Sequence, residues 1–215
     1  MNGPTHMAFG AAFAAVYAGP VTHVLEPAVG LPAVPLWGVP ICLMVGAVSG
    51  LLPDIDEPNA MLGRGSWMPR SLGPLFKLLG MIVSLPFRIA GFFIKGVLGH
   101  RGGTHSIAMS ILFTLLFAIP ITTFLGVSWD WLIWTIWFGF MSHLVADMLN
   151  PSGVPLFWPL RSKHKTVHLL PKPLRIPTQT PPNRREMVTR FGANAVVVGC
   201  VGLFCVLIPV MQQAA

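Results

Sequence analysis

The sequence predicts an all-α, polytopic membrane protein with about five transmembrane helices and one amphipathic helix in the membrane interface. Only 10% of its 215 residues are Asp, Glu, Lys or Arg, whereas about a quarter are charged in a typical soluble domain. The mean hydropathy is +0.69. Residues 27–53, 106–129 and 191–215 carry no charge at all, and each stretch approaches or exceeds the roughly 20 residues that cross a bilayer. These observations exclude a soluble enzyme, a disordered chain and a disulfide scaffold, and we treat residues 1–215 as one membrane-embedded domain.

Apolar segments define the predicted spans in chain order. The five spans cover residues 7–25, 36–52, 107–126, 130–149 and 192–211, and a proline-rich basic loop covers residues 151–190. The second span contains Gly46-x-x-x-Gly50, a spacing that lets helices approach closely in lipid. Residues 1–22 contain no Lys or Arg, so the basic region of a signal peptide is missing and we expect the first span to be retained.

Residues 74–98 allow two interpretations. On a helix, Lys77, Ser84, Arg88 and Lys95 share one narrow face, and the opposite face is apolar. This pattern suits a helix that lies in the interface with its basic stripe toward the headgroups. A spanning helix would place Arg88 near the middle of the bilayer, which costs several kcal/mol. We therefore expect the interfacial position.

Basic residues set the predicted orientation. The chain carries a formal net charge of +7, and in a membrane protein basic loops stay on the cytoplasmic side. The loop at 53–73 and the loop at 151–190 contain Lys or Arg, whereas the connections at 26–35 and 126–130 contain neither. This arrangement predicts five spans with a cytoplasmic N-terminus and the C-terminus on the other side. It requires that residues 74–98 do not cross.

Histidines and aspartates from four segments fall at the same predicted face, the cytoplasmic one. They are His6 before the first span, Asp54 and Asp56 after the second, His100 and His105 before the third, and His143 and Asp147 at the inner end of the fourth. The topology that brings them together rests on Lys and Arg alone. Their convergence is therefore an independent signal of a functional site.

The residue types indicate a metal site. His nitrogen and carboxylate oxygen are the usual ligands of zinc and related divalent metals in hydrolytic sites. His143 and Asp147 lie one helical turn apart and point the same way, and Asp54 and Asp56 lie on a turn bracketed by prolines. Seven candidate ligands exceed the about four that one zinc takes. The sequence therefore predicts a divalent-metal cofactor, zinc by ligand type, with two or more ions.

Each candidate has a simpler explanation when it is taken alone. His6 fits a packing or interfacial histidine, and Asp54 with Asp56 fits a turn that ends a helix. His143 and Asp147 fit a hydrogen bond between buried helices. Ionisable residues within membrane segments are functional candidates by default, and their joint occurrence favours the metal site.

Other enzyme signatures are absent from the sequence. There is no H-E-x-x-H motif of zinc proteases and no G-x-S-x-G nucleophile turn. Ser106, beside His105, is expected to cap the third span and not to act as a nucleophile. His23, His164 and His168 are expected to be interfacial or solvated.

Three motifs occur in a distinctive order along the chain. They are Leu51-Leu52-Pro53-Asp54-Ile55-Asp56, Gly99-His100-Arg101-Gly102-Gly103-Thr104-His105-Ser106, and Ser142-His143-Leu144-Val145-Ala146-Asp147 with the run Pro151–Pro159 behind it. Together with His6, they resemble the YdjM-like family of membrane-bound, metal-dependent hydrolases of the bacterial inner membrane. The resemblance covers residues 6 to 160.

The resemblance implies an activity and a role for each residue. The family looks distantly similar to zinc-dependent phospholipases C, which implies hydrolysis of a phosphodiester or phospholipid-type substrate at the cytoplasmic membrane face. The implied metal ligands are His6, Asp54, His100, His105, His143 and Asp147. Asp56 would be a further ligand or the base that orients water, and Arg101 would stabilise charge on a phosphoryl oxygen, unless it is only a positive-inside anchor.

Three acidic or amide positions bear on the match to the family. Glu186 corresponds to a glutamate that the family keeps before its last span, and it is either a further ligand or a solvated partner of Arg184 or Arg190. Glu57 and Asn150 stand where His and Thr are usual in the family. Neither departure removes a proposed ligand.

The expected partners are membrane lipids, with anionic headgroups at the basic loop. Nucleic acid is not expected, because the loop has few aromatic residues and no recognised binding motif. The alternative function is a non-enzymatic inner-membrane protein with a structural metal site and a basic loop that docks a cytoplasmic partner. Structural zinc is held mostly by Cys, whereas the candidates here are His and Asp, and this difference favours catalysis.

Overall fold

The computed structural model describes residues 2–21, 30–57, 59–67, 73–98, 103–162, 164–177 and 183–214. The α-helices are α1 (Gly3–Val16), α2 (Val39–Ser49), α3 (Pro74–Leu98), α4 (Ile107–Pro120), α5 (Asp130–Met148) and α6 (Arg184–Ala214). Helix α1 continues as a π-helical turn, Tyr17–Val21, and α4 as another, Ile121–Leu125. Short 3₁₀ turns lie at Leu36–Gly38, Leu52–Asp56, Gly103–His105, Val127–Trp129 and Lys172–Leu174. Within these ranges there is no β-strand, only a single bridge between Val154 and Val167, which confirms the all-α class.

Three helical stretches are long and apolar enough to cross a membrane: Leu36–Asp56, Pro74–Gly96 and Ile107–Leu125. The outward faces of α3 and α4 expose Leu, Ile and Phe side chains, as expected for contact with lipid. The class of helical membrane protein is therefore confirmed, and the count of five spans stays a prediction. Because α3 is one continuous helix of 25 residues, its length fits a crossing as well as the predicted interfacial position.

Glycines allow three helices to meet backbone to backbone. Helix α1 packs against α2, α5 and α6. A Cβ atom at Gly10 of α1 would overlap the carbonyl oxygen of Gly46 in α2. A Cβ at Gly139 of α5 would lie 2.7 Å from that same oxygen, and one at Gly50 would lie 2.6 Å from the carbonyl oxygen of His6. The Gly46-x-x-x-Gly50 spacing thus serves the close helix packing that the sequence predicts.

Helix α5 carries the main core of the protein. Its Ile136, Phe140, Leu144 and Met148 are buried at one face. They pack with Phe113 of α4 and with Val154 of the following loop. Four buried residues of the segment 51–62 complete this core: Leu51, Leu52, Ile55 and Leu62. This core lies directly behind the turn Leu52–Asp56, so the turn is held against α5 by apolar contacts.

Helix α3 lies against the segment that follows the turn Leu52–Asp56. Ser84 is fully buried, and its hydroxyl accepts a hydrogen bond from Trp67 Nε1 at 3.0 Å. Lys95 pairs with Glu57 at 2.7 Å. The sequence placed Ser84 on the solvated stripe of α3, but its side chain faces inward because the indole N–H of Trp67 needs an acceptor. The basic members of the stripe stay exposed.

The loop after α5 folds back onto the end of that helix. The Leu169 N–H donates to the Met148 carbonyl at 2.9 Å, and Ile176 donates to Leu149 at the same distance. These bonds satisfy two of the last carbonyls of α5, which have no partner inside the helix. The part of the predicted basic loop between 151 and 177 is thus fixed to the end of α5.

The last helix begins earlier than the sequence predicts. Helix α6 starts at Arg184, eight residues before the predicted span 192–211, so residues 184–190 are helix and not loop. The side chain of Asn183 caps this start by accepting the Glu186 N–H at 2.8 Å. A capping side chain satisfies an N–H group that a helix start otherwise leaves unpaired, and apolar periodicity alone does not show it.

We expect Gly10→Ala to destabilise the protein and Gly192→Ala not to. The added Cβ of Gly10→Ala overlaps the Gly46 carbonyl, and overpacking costs typically about 1–3 kcal/mol. No atom lies within 4 Å of the Cβ position at Gly192, and alanine is favoured over glycine in a helix by roughly 0.5–1 kcal/mol. Thermal unfolding in detergent should show a lower Tm for the first variant and an equal or higher Tm for the second. Equal values for both would contradict the close contact of α1 with α2.

Candidate metal centre

Four separate elements bring five of the predicted ligands into one buried cluster. They are His6 of α1, Asp54 of the turn Leu52–Asp56, His105 of the turn Gly103–His105, and His143 and Asp147 of α5. Two overlapping groups, one of His6, Asp54 and His143 and one of His105, His143 and Asp147, have donor atoms within 4.8 Å of one another. His143 belongs to both groups, so the two form a single cluster.

Two imidazole nitrogens lie close to two carboxylate oxygens. The Nε2 atoms of His105 and His143 lie 3.5 and 3.6 Å from Asp54 Oδ1. The same two nitrogens lie 3.8 and 3.6 Å from Asp147 Oδ2. Ligands about 2.0–2.1 Å from a tetrahedral zinc lie roughly 3.4 Å from one another. Each carboxylate therefore lies near ligand spacing from both imidazoles, and the two carboxylates belong to different groups that could each hold a metal ion.

His6 approaches the other side of the Asp147 carboxylate. Its Nε2 lies 3.4 Å from Asp147 Oδ1, whereas His105 and His143 face Oδ2. The His6 ring stacks on the His143 ring, with centroids 3.7 Å apart and planes 13° from parallel. Asp147 thus directs one oxygen toward His6 and the other toward His105 and His143.

Hydrogen bonds orient the histidine rings. His143 Nδ1 lies 2.7 Å from the Gly50 carbonyl oxygen and therefore donates to it. With the proton on Nδ1, Nε2 presents its lone pair to the cluster. The Nε2 atoms of His105 and His143 are buried and have no hydrogen-bond partner. Buried polar atoms of proteins are nearly always satisfied, so two inward lone pairs indicate a missing electrophile.

Asp56 lies behind His105, on the Nδ1 side of the ring. The Thr104 hydroxyl donates to Asp56 Oδ2 at 3.2 Å and lies 3.0 Å from His105 Nδ1. A hydroxyl that donates to a carboxylate has its lone pairs left to accept the Nδ1–H group. Asp56 is fully buried and belongs to neither ligand group. Its contacts are those of a residue that orients His105.

The cluster carries negative charge in a buried place. Asp54 and Asp147 contribute two carboxylates, and the imidazoles of His6, His105 and His143 face them. Buried charges in proteins are paired or coordinate metals. The charge balance therefore favours a divalent cation at this position.

The cluster opens at one carboxylate. The side chains of His6, His105, His143 and Asp147 are at most 3% exposed, whereas that of Asp54 is 26% exposed. A catalytic metal site keeps a position open for water or substrate, and a structural site is closed. The partial exposure of Asp54 is the kind of opening expected of a catalytic site.

Glu186 is buried at the start of α1, so the interpretation as a solvated partner of Arg184 or Arg190 is wrong. Its Oε1 accepts the Asn2 N–H at 2.7 Å and the Thr5 hydroxyl at 3.1 Å. A carboxylate at this point stabilises the N-terminus of a helix. Glu186 is in neither ligand group. It fixes the first turn of α1, from which His6 projects.

Sequence reasoning missed three contacts to the ligands. They are the Thr104 hydroxyl at His105, the Gly50 carbonyl at His143, and Asn150, whose Nδ2 donates to Asp147 Oδ1 at 2.7 Å. The signal for Thr104 was its place directly before a candidate ligand. A backbone carbonyl such as that of Gly50 leaves no signal in a sequence.

The remaining candidates are either outside the described residues or away from the cluster. His100 and Arg101, as well as His23, lie outside the described residues. His164 is exposed, and His168 Nε2 bonds the Pro151 carbonyl at 3.0 Å. Ser106 caps α4 by accepting the Met109 N–H at 3.3 Å, which confirms the predicted cap.

Comparison with known proteins agrees with the motif order. The family model described as "YdjM inner membrane protein" matches residues 1–214. The chain is 34% identical over 128 residues to Inner membrane protein YdjM of Escherichia coli (strain K12), and equally to that of Shigella flexneri. This alignment covers 57% of the chain and 51% of each relative, so the chain matches about half the length of the curated relatives. No solved structure matches the chain. On the match of the family model over residues 1–214, the chain belongs to the YdjM family of inner membrane proteins.

Proposed function

We propose that this protein is a metal-dependent hydrolase that acts on a phosphodiester or phospholipid-type substrate at the membrane surface. The observation that carries the proposal is the pair of buried, unpartnered Nε2 atoms of His105 and His143, which face two carboxylates at metal-ligand spacing. Family membership supports the same chemistry, because the motifs that resemble metal-dependent hydrolases contain these ligands.

His105, His143 and Asp147 would hold one ion, and His6 and Asp54 would contribute further ligands beside it. The donor set of His and Asp fits zinc and related divalent metals. When bound, such an ion supplies Lewis-acid activation of water and of a phosphoryl oxygen. We propose two or more ions, which matches the number of donors available.

The protein's own groups would position the reacting atoms. Substrate and water would reach the site beside Asp54, the exposed member of the cluster. Asp56 and Thr104 would hold His105 in the ligand orientation, and we assign Asp56 this positioning role in place of a ligand or base. His100 as a further ligand and Arg101 as a phosphoryl contact are proposed from their motif alone.

The proposed location of the site is the cytoplasmic face of the inner membrane, with a cytoplasmic N-terminus. The positive-inside rule and the basic residues of the loop at 151–190 support this orientation. The loop would contact anionic headgroups. It is anchored to the end of α5, which is the end that carries His143 and Asp147.

Metal content tests the cluster directly. Wild-type protein purified in detergent should retain at least one divalent metal per chain, and the variant His143→Ala/Asp147→Ala should lose it because two ligands are gone. His164→Ala is the matched control, since His164 is exposed and away from the cluster. Elemental mass spectrometry measures all three. Wild type without metal, even after reloading at neutral pH, would refute the proposal.

The rate of phosphodiester hydrolysis should depend on the same ligands. Asp147→Asn keeps the size of the side chain and removes the charge, so we expect loss of bound metal and at least a 100-fold fall in the rate of phosphodiester hydrolysis, on the order of 3 kcal/mol in transition-state stabilisation. Release of headgroups from phospholipid vesicles and cleavage of a chromogenic phosphodiester are the two assays. His164→Ala should match wild type. Full activity of Asp147→Asn would remove this assignment.

Thr104 should tune metal affinity without being a ligand. Thr104→Val removes the hydroxyl between Asp56 and His105, and groups that orient metal-binding histidines typically contribute about 10–100-fold in affinity. Thr104→Ser keeps the hydroxyl and should restore binding. Competition with a chelator measures the affinity of each variant. If the Thr104→Val and Thr104→Ser variants bind metal equally well, the hydrogen bonds that link Asp56, Thr104 and His105 do not orient His105.

A further inference from the structure

A second cavity, separate from the metal cluster, lies between α3 and the segment before it. Its volume is about 390 Å³, near the lower end of the roughly 300–1,000 Å³ of ligand pockets. The lining residues are Gly63, Arg64, Gly65, Ser66, Lys77, Met81, Leu85 and Arg88. None of them belongs to the metal cluster. Three cationic side chains from two chain segments therefore surround one space.

The three cations have no carboxylate partner within the described part of the chain. Among the described residues, none of the side chains of Arg64, Lys77 and Arg88 forms a salt bridge. Lys95, on the same stripe of α3, is paired with Glu57 at 2.7 Å. The cavity is thus lined by Arg64 and by Lys77 and Arg88, the two basic residues of α3 outside the pair with Glu57.

The acids among the described residues lie elsewhere. The chain has seven Asp and Glu residues. Asp54 and Asp147 lie in the metal cluster, Asp56 accepts from Thr104, Glu57 pairs with Lys95, Glu186 binds the start of α1, and Asp130 begins α5 at the end opposite Asp147. Glu26 lies outside the described residues. An anion for the cavity must therefore come from outside the described protein.

The lining of the cavity is both polar and apolar. Arg64, Ser66, Lys77 and Arg88 are its polar members, and Met81 and Leu85 are its apolar members. Met81 and Leu85 are 46% and 55% exposed, so the cavity has an apolar edge that is open at the surface of α3. A ligand that fits this lining is amphipathic and carries negative charge.

We propose that this cavity binds the headgroup phosphate of an anionic phospholipid, with the acyl chains along α3. Arg64, Lys77 and Arg88 contact the phosphate, and Met81 and Leu85 contact the glycerol and upper acyl region. The site is distinct from the proposed hydrolytic centre, and it holds a lipid that is not cleaved there. Its occupancy neutralises Lys77 and Arg88 on a helix whose outer face is otherwise apolar.

Lipid binding to purified full-length protein tests this site. Short-chain phosphatidylglycerol, phosphatidylcholine with the same chains, and inorganic phosphate are titrated separately, and bound ligand is measured by native mass spectrometry. The test variant is Lys77→Gln/Arg88→Gln. The control Lys95→Gln removes a charge from the same helix at a position that pairs with Glu57 and does not line the cavity. A basic residue near an anionic lipid surface is worth roughly five-fold in affinity.

Wild type and the control should bind phosphatidylglycerol within about two-fold of each other, and the test variant roughly 25-fold more weakly, from two such residues. Phosphatidylcholine and phosphate should bind wild type at least as weakly as phosphatidylglycerol binds the test variant. Equal loss in variant and control would show only general charge attraction and overturn the site. Binding of phosphate as tight as that of the lipid would overturn the lipid as ligand.

A measurement on wild type alone covers the case in which the test variant does not fold. Phosphatidylglycerol with a photoreactive group near the headgroup is crosslinked to the protein in vesicles, and the labelled peptides are identified. Labels should fall within residues 63–66 and 77–88, the two segments that line the cavity. Labels confined to the loop at 151–177 would overturn the proposal. Metal content stays independent of both results, because the two sites share no residue.

Discussion

The close contact of α1, α2 and α5 at their glycines is the constraint on which the rest of the structure depends. Gly10, Gly46 and Gly139 let three backbones meet where any Cβ would collide. Gly50 lies at the end of α2, and its carbonyl holds His143. His6 and the turn with Asp54 are set by the same contacts. A separation of these helices by the width of one methyl group would move ligands from three elements at once.

The sequence predicted the cluster better than it predicted the function of each residue in it. His6, Asp54, His105, His143 and Asp147 lie together, as expected from a topology argued from Lys and Arg. That argument works because a bilayer forces the ends of successive spans into common planes. It does not say which way a side chain on a 3₁₀ turn points. The sequence therefore could not separate Asp54, in the cluster, from Asp56, two residues on and behind Thr104.

The boundaries of elements were less accessible to sequence reasoning. Helix α6 starts within the predicted basic loop because Asn183 caps it and Glu186 faces α1. The charged residues at 184–190 suggested a solvated segment. The contact of Glu186 with α1 instead makes these residues part of a packed helix. The same limit applies to α3, where Ser84 is buried by a hydrogen bond from Trp67 that no periodicity shows. Long-range partners, and not local propensity, decide such positions.

Two carboxylates in a buried cluster cost the folded protein free energy when no cation is bound. Metal binding and stability are therefore linked, since an ion bound to the folded state stabilises it. The apolar core of α5 lies behind the turn Leu52–Asp56 and keeps Asp54 beside His143. Rigid apolar packing and the cluster of carboxylates and imidazoles are two parts of one arrangement.

The contact between Glu186 and the first turn of α1 has a consequence for the order of folding. Asn2 and Glu186 are 184 residues apart in sequence, whereas His143 and Asp147 lie one turn apart on a single helix. Contacts between residues so far apart in sequence are slow to form, because the entropy of closing the long loop is lost before the contact stabilises the chain. The candidate metal centre is therefore completed only when α6 docks on α1.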